Sequence, residues 1–97
     1  MSGRQEIVLD MGFTREEFMN LLPSALGVDR LQAAGGAIVV EDGRGTVRVT
    51  LGPESVRRIA SLALPSLPVT LCFERYAPRD IERFMKRFRS YYQRGGG

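Results

Sequence analysis

Residues 78–94 place Ile81, Phe84, Met85, Phe88 and one of Tyr91 or Tyr92 at the i, i+3, i+4, i+7 spacing of a single helix face. At about 100° per residue, Arg79, Arg83, Lys86, Arg87 and Arg94 gather opposite, within an arc of about 100°. A helix this one-sided limits what the chain can become. Its aromatic flank needs a broad apolar surface to lie on, and its basic flank needs water or an anionic partner.

The rest of the chain supplies that surface as strands. Residues 6–10 predict a short strand, followed by a helix start with Thr14 and Glu17 as a capping box and Phe13 and Phe18 as a hydrophobic staple. Phe18, Leu21 and Leu22 form its buried stripe. Pro23 is expected to end the regular helix or to begin a second short turn, with Gly27 as a cap. Residues 28–36 read as a small, flexible connector. Residues 37–41 and 46–51 then flank Asp42-Gly43-Arg44-Gly45, a loop with the length and chemistry of a hairpin. In the second of these strands Val47, Val49 and Leu51 alternate with Thr46, Arg48 and Thr50, so one sheet face is expected to be wet.

Residues 53–64 admit two readings. As a strand, 58–64 turns through Pro65-Ser66-Leu67-Pro68 and pairs with 69–74, where Val69, Leu71 and Phe73 alternate with Thr70, Cys72 and Glu74. As a helix, Val56, Ile59, Ala60 and Ala63 share a stripe. The tight connection favours the strand. The order is then β-α-β-β-β-β-α, and an antiparallel sheet with one wet face needs the two amphipathic helices on its other face. The expected fold is α+β, a two-layer sandwich with helices on one face. In architecture this order resembles the TATA-binding-protein-like and helix-grip folds. The helical alternative gives β-α-β-β-α-β-α, nearer a ferredoxin-like arrangement.

Composition bounds the function. Ninety-seven residues, 43% hydrophobic and 26% charged, suit one domain over 1–97, with flexible termini at 1–4 and 95–97. No apolar run approaches the roughly 18 residues of a membrane span, no signal-peptide core is present, and a single cysteine makes a cytoplasmic location the expectation. Histidine is absent, which removes the usual general base and the commonest metal ligand. With one Cys besides, tetrahedral zinc sites and Ser-His or Cys-His pairs are out of reach of one chain. Neither catalytic nor cofactor-binding nor metal-binding residues are expected.

Net charge is +3, and of 14 cations only Lys86 is a lysine. Guanidinium forks match carboxylate and phosphate better than ammonium does. Arg79, Arg83, Lys86, Arg87 and Arg94 are therefore the candidate contacts to an anion or partner, against the simpler reading of a solvated face. The function expected first is a non-catalytic protein-interaction module that meets an acidic surface. A nucleic-acid contact through the same helix is the second, with Tyr91 and Tyr92 able to stack on bases. The third is an apolar-ligand or sensor domain with a cavity under Phe84, Met85 and Phe88, against the expectation that these side chains fill the core. A homo-oligomer through an edge strand at 7–10 or 69–74 is also open.

Overall fold

The computed structural model describes residues 3–93. The chain runs β1 (Arg4–Met11), α1 (Arg15–Leu26), β2 (Ala33–Ala34), β3 (Ala37–Asp42), β4 (Gly45–Leu51), β5 (Ser55–Ile59), β6 (Leu62–Glu74) and α2 (Pro78–Tyr91). The strands form one antiparallel sheet in the order β1-β6-β4-β3-β2, with β5 paired to the first half of β6. Both helices cover the same side. The expected α+β sandwich is present, with one strand more than expected: Ala33–Ala34 folds back through Gly35-Gly36 onto β3.

The core sits between sheet and helices. Along β6 every second side chain, Leu67, Val69, Leu71 and Phe73, is wholly buried, as is Val47 on β4. Phe18 and Leu22 from α1 and Phe88 from α2 meet them with no residual exposure. The aromatic flank of α2 is packed ring on ring. Phe84 stacks beside Phe88 at 6.0 Å, and Phe88 lies 4.8 Å from Tyr92, which in turn stacks on Phe18 at 4.8 Å. Each fully buried ring of this kind stabilises the fold by about 3–5 kcal/mol relative to alanine. Tyr92 is the tyrosine that enters, and its hydroxyl donates to the Phe18 carbonyl (2.8 Å), so the ring brings in no unpaired polar atom. Tyr91 remains outside at 39% exposure.

The start of α1 is as expected. Glu17 N–H donates to Thr14 Oγ1 at 3.1 Å, Thr14 N–H donates to Glu17 Oε1 at 2.9 Å, and Phe13 and Phe18 are both buried. Its end differs. Pro23 lies inside one continuous helix, which runs on to Leu26 and closes on Gly27 in the left-handed conformation, φ 72°. The proline has no N–H to give to the preceding turn, but the closing bonds from Gly27 and Val28 to Ser24 and Pro23 carbonyls hold the last turn together.

The second hairpin turns earlier than expected. Ile59 faces Leu62 across a two-residue turn of Ala60 and Ser61, and 65–68 is not a turn but the middle of a 13-residue strand. β1 begins at Arg4 rather than Glu6 and is fixed there by an Arg4–Glu74 ion pair (3.5 Å). The cross-strand neighbour of Arg48 is Cys72. Residues 69–74 are not an edge, because β6 lies between β1 and β4. The hairpin of β5 with the start of β6 extends beyond the helices as an arm about 17 Å long at ~3.4 Å per residue, and residues 53–64 are exposed throughout. Its projection explains a long axis of 48 Å and a radius of gyration of 14.1 Å, against about 13 Å for a compact chain of this size.

Candidate functional site

The exposed layer of α2 carries the predicted cations. Arg79, Arg83, Lys86 and Arg87 all face solvent, while Arg94 lies outside the described residues, as do 95–97 and the first two residues. The four do not act alike. Arg87 is engaged at the other helix: its Nη2 donates to the Ser24 carbonyl at 3.1 Å, and its guanidinium lies 5.2 Å from the Tyr91 ring centroid. No basic residue occupies the last turn of α1. A cation from α2 therefore complements the negative end of α1, an arrangement worth about 0.3–1 kcal/mol at an exposed site.

Arg83 is different. Among the described residues Arg79, Arg83 and Lys86 make no ion pair and no side-chain hydrogen bond. Of these, Arg83 borders a groove of about 380 Å³ between α2, the end of α1 and the β3–β4 hairpin. Ala25, Leu26, Val40, Tyr76 and Phe84 give it an apolar and aromatic lining. Arg87 and Arg44 stand with Arg83 on its border, opposed by Asp42 and Asp80.

Arg44 was missed as a site residue because it occupies a two-residue turn between β3 and β4. Its N–H donates to Asp42 Oδ1 (2.7 Å), and its guanidinium lies 3.7 Å from the Asp42 carboxylate and 3.8 Å from that of Asp80. Nothing in the local pattern of 42–45 says that this turn will meet the first turn of α2. Gly45, at φ 149°, lets the end of this turn lie directly against the β6–α2 connection, where an added Cβ would collide with the Glu74 carbonyl oxygen and the Tyr76 ring.

Tyr76 completes the groove floor. It donates to Asp42 Oδ2 at 3.3 Å, and its phenol is pushed up to about 12, chiefly by burial and then by the Asp42 carboxylate. It stays a neutral donor at any physiological pH. The three guanidinium groups outnumber the two carboxylates, so the rim can receive one further negative charge while the floor accepts an apolar group.

The opposite layer is the open sheet face, where ion pairs and hydrogen bonds dominate: Arg75 Nη2 is 3.4 Å from Glu41 Oε2, and Arg4 Nη2 donates to the sulfur of Cys72 at 3.5 Å. Cys72 is buried beneath this layer. Among the described residues no three carboxylate or thiol groups gather as a metal site, and no helix is long and apolar enough to cross a membrane. Comparison of the chain with protein-family models, with curated proteins and with solved structures finds no match.

Proposed function

We propose that this chain is a non-catalytic protein-interaction module that holds an acidic, partly apolar segment of a partner in the groove bordered by Arg44, Arg83 and Arg87. The observation that carries the reading is the convergence of three guanidinium groups from two elements on one apolar-floored groove, with Arg83 unengaged. Arg44 and Arg87 are held in place by Asp42, Asp80 and Ser24, so they require little further ordering on binding. A short acidic peptide with one aromatic residue is the natural probe. On titration it should shift the backbone amides of Arg83 and Phe84 saturably, with a response that weakens as salt rises. Arg83→Glu should abolish the shifts without unfolding the chain, since the side chain is exposed and unpaired. An unsaturable response, or equal binding by Arg83→Glu, would remove the proposal.

Nucleic acid is the second reading, favoured by the unpaired row of Arg79, Arg83 and Lys86. It predicts that a single-stranded oligonucleotide binds with a log–log salt slope set by the number of phosphates contacted. It also predicts that Arg79→Ser and Lys86→Ser, away from the groove, weaken binding as much as Arg83→Ser.

A further inference from the structure

β6 pairs with one side of β1, and among the described residues no strand pairs with the other. Which main-chain groups point off that free edge follows from the sheet. Gly52 N–H donates to the Pro68 carbonyl on the β4 side (2.8 Å). Groups alternate along a strand, so Leu67, Val69, Leu71 and Phe73 turn theirs toward β1. Their partners there are Met11, Leu9, Ile7 and Gln5. The N–H and C=O groups of Glu6, Val8 and Asp10 therefore point outward. Neither proline nor bulge interrupts the register from Arg4 to Met11, so the edge is a regular template for one more strand.

Three hollows succeed one another along the seam between β1 and α2. Gln5 and Ile81 border the first, of about 420 Å³; Ile7 and Met85 the second, of about 840 Å³; Leu9 and Phe88 the third, of about 260 Å³. The two walls run in the same direction and advance in step. Two residues of strand cover about 6.8 Å, and three or four of helix about 4.5–6 Å. A strand added to β1 sets alternate side chains at that interval, one to each hollow. The second hollow fixes the chemistry, because Lys86 and Arg89 stand on its rim with Glu82. Neither cation makes an ion pair or a side-chain hydrogen bond among the described residues. Two cations against one carboxylate suit an acidic side chain. In the first hollow Arg4 and Arg75 are already paired, with Glu74 and Glu41, and Phe73 and Ile81 suit an aliphatic group. Phe88 and Tyr92 do the same in the third. On the open face Glu6 adjoins Val8, 69% exposed, where uncharged β-branched neighbours pair best.

We propose that β1 takes up an extended segment of a partner protein as an added edge strand. Apolar, acidic and apolar side chains at alternate positions of that segment seat in the three hollows. A second copy fits less well. A two-fold axis at β1 sets α2 against its own image, with the excess positive charge of Lys86 and Arg89 on both sides. A nucleic-acid backbone offers no register of N–H and C=O groups to match the edge, and it meets Glu6, Asp10 and Glu82 along the seam. The seam lies on the opposite flank of α2 from the arginine groove, and the proposal is independent of the function assigned to that groove.

The probe is a short capped peptide with leucine, aspartate and leucine at alternate positions and threonine elsewhere, titrated into the full chain. At ten times its Kd, amide exchange at Glu6, Val8 and Asp10 should slow about tenfold. Ile7 and Leu9, already bonded to β6, should stay as they were. Val8→Pro removes an outward N–H at an edge position that tolerates proline, and should abolish binding with an unchanged circular dichroism spectrum. The exchange pattern is read on the unaltered chain and stands even if that variant fails to fold. Lys86→Glu and Arg89→Glu, both exposed, should each weaken binding about fivefold. Arg58→Glu, an equal change of charge on the projecting hairpin, should leave it unaltered. Absence of saturable protection overturns the proposal, as does protection that is even along β1 or confined to Arg83 and Phe84. Full binding by folded Val8→Pro or by Lys86→Glu overturns it as well. Protection of Glu6, Val8 and Asp10 that rises with protein concentration alone would assign the edge to a second copy. The same protection on adding a single-stranded oligonucleotide would assign it to nucleic acid, and either result overturns the proposal.

Discussion

β6 passes through two environments. From Leu67 to Phe73 its inward side chains are wholly buried under two helices, and its flanks are covered by β1 and β4. From Leu62 to Leu64 the same strand has one neighbour and aliphatic side chains 61% and 43% exposed. Hydrophobicity hardly changes along the strand, so it cannot explain the difference. What changes is the cover. α1 and α2 reach only as far as Phe13 and Tyr92, which pack edge to face at 5.3 Å and close that end of the core. Beyond them the hairpin stands on its own backbone pairing, and an isolated two-stranded hairpin is only marginally stable in water. Burial, and not residue type, separates the two halves of β6.

The comparison breaks most sharply under truncation. Phe73→Ala should cost about 3–5 kcal/mol, the usual penalty for a buried ring with its cavity, while Leu62→Ser should change stability by less than ~0.5 kcal/mol. Urea denaturation of both variants measures the two values. A Leu62→Ser loss comparable to that of Phe73→Ala would mean the arm is part of the core. Next in size is Gly45→Ala, where strain at φ 149° and collision with the Glu74 carbonyl should cost about 1–3 kcal/mol or displace the hairpin. Gly43→Ala, two residues away in open space, should be nearly neutral by the same measurement.

What the sequence shows and what it hides divide along the same line. The core half was legible because its signals are periodic and strong: the capping box at Thr14 and Glu17, the alternation in β4, and the aromatic stripe of α2. The arm was misread because its turn has the wrong chemistry. Ala60 and Ser61 lack the Gly, Asn or Asp that marks a two-residue hairpin, yet Ala60 takes φ 55°. Pro65 and Pro68 imitate a turn but sit in a strand, Pro65 toward an uncovered side and Pro68 beside an irregular step at Gly52. The candidate site was half legible. The spacing of Arg83 and Arg87 on α2 could be read directly, whereas Arg44, Asp42 and the apolar floor reach them only through tertiary packing across 40 residues of chain.

The base of the arm should also respond to acid. Hydrogen bonding from Ser66, then the Arg57 ion pair, outweighs desolvation and holds the Asp10 carboxyl below its ordinary value. A carboxyl with a lowered folded-state pKa favours the folded form above its unfolded value near 3.9 and loses that contribution as pH falls through the lowered value. The protection factors of Arg57 and Leu64 against amide exchange should therefore fall on acidification below about pH 4, by more than that of Leu71. Asp10→Asn should flatten the local response. A uniform fall in protection across arm and core would show that this carboxylate does not anchor the arm separately.

The smallest expected effect is the most informative about how the two regions are coupled. Ala60 at φ 55° carries roughly 1–2 kcal/mol of left-handed strain, and Ala60→Gly removes it while adding about 0.4–1 kcal/mol of unfolded-chain entropy. The net gain is about 0.5 kcal/mol, roughly a twofold rise in exchange protection across β5. Where that gain appears decides the issue. If the arm opens on its own, protection rises for Arg57 and Leu64 while that of Leu71 and the urea midpoint stay fixed. If the arm opens only with the core, both move together, and the long strand carries the tip's energetics into the helices.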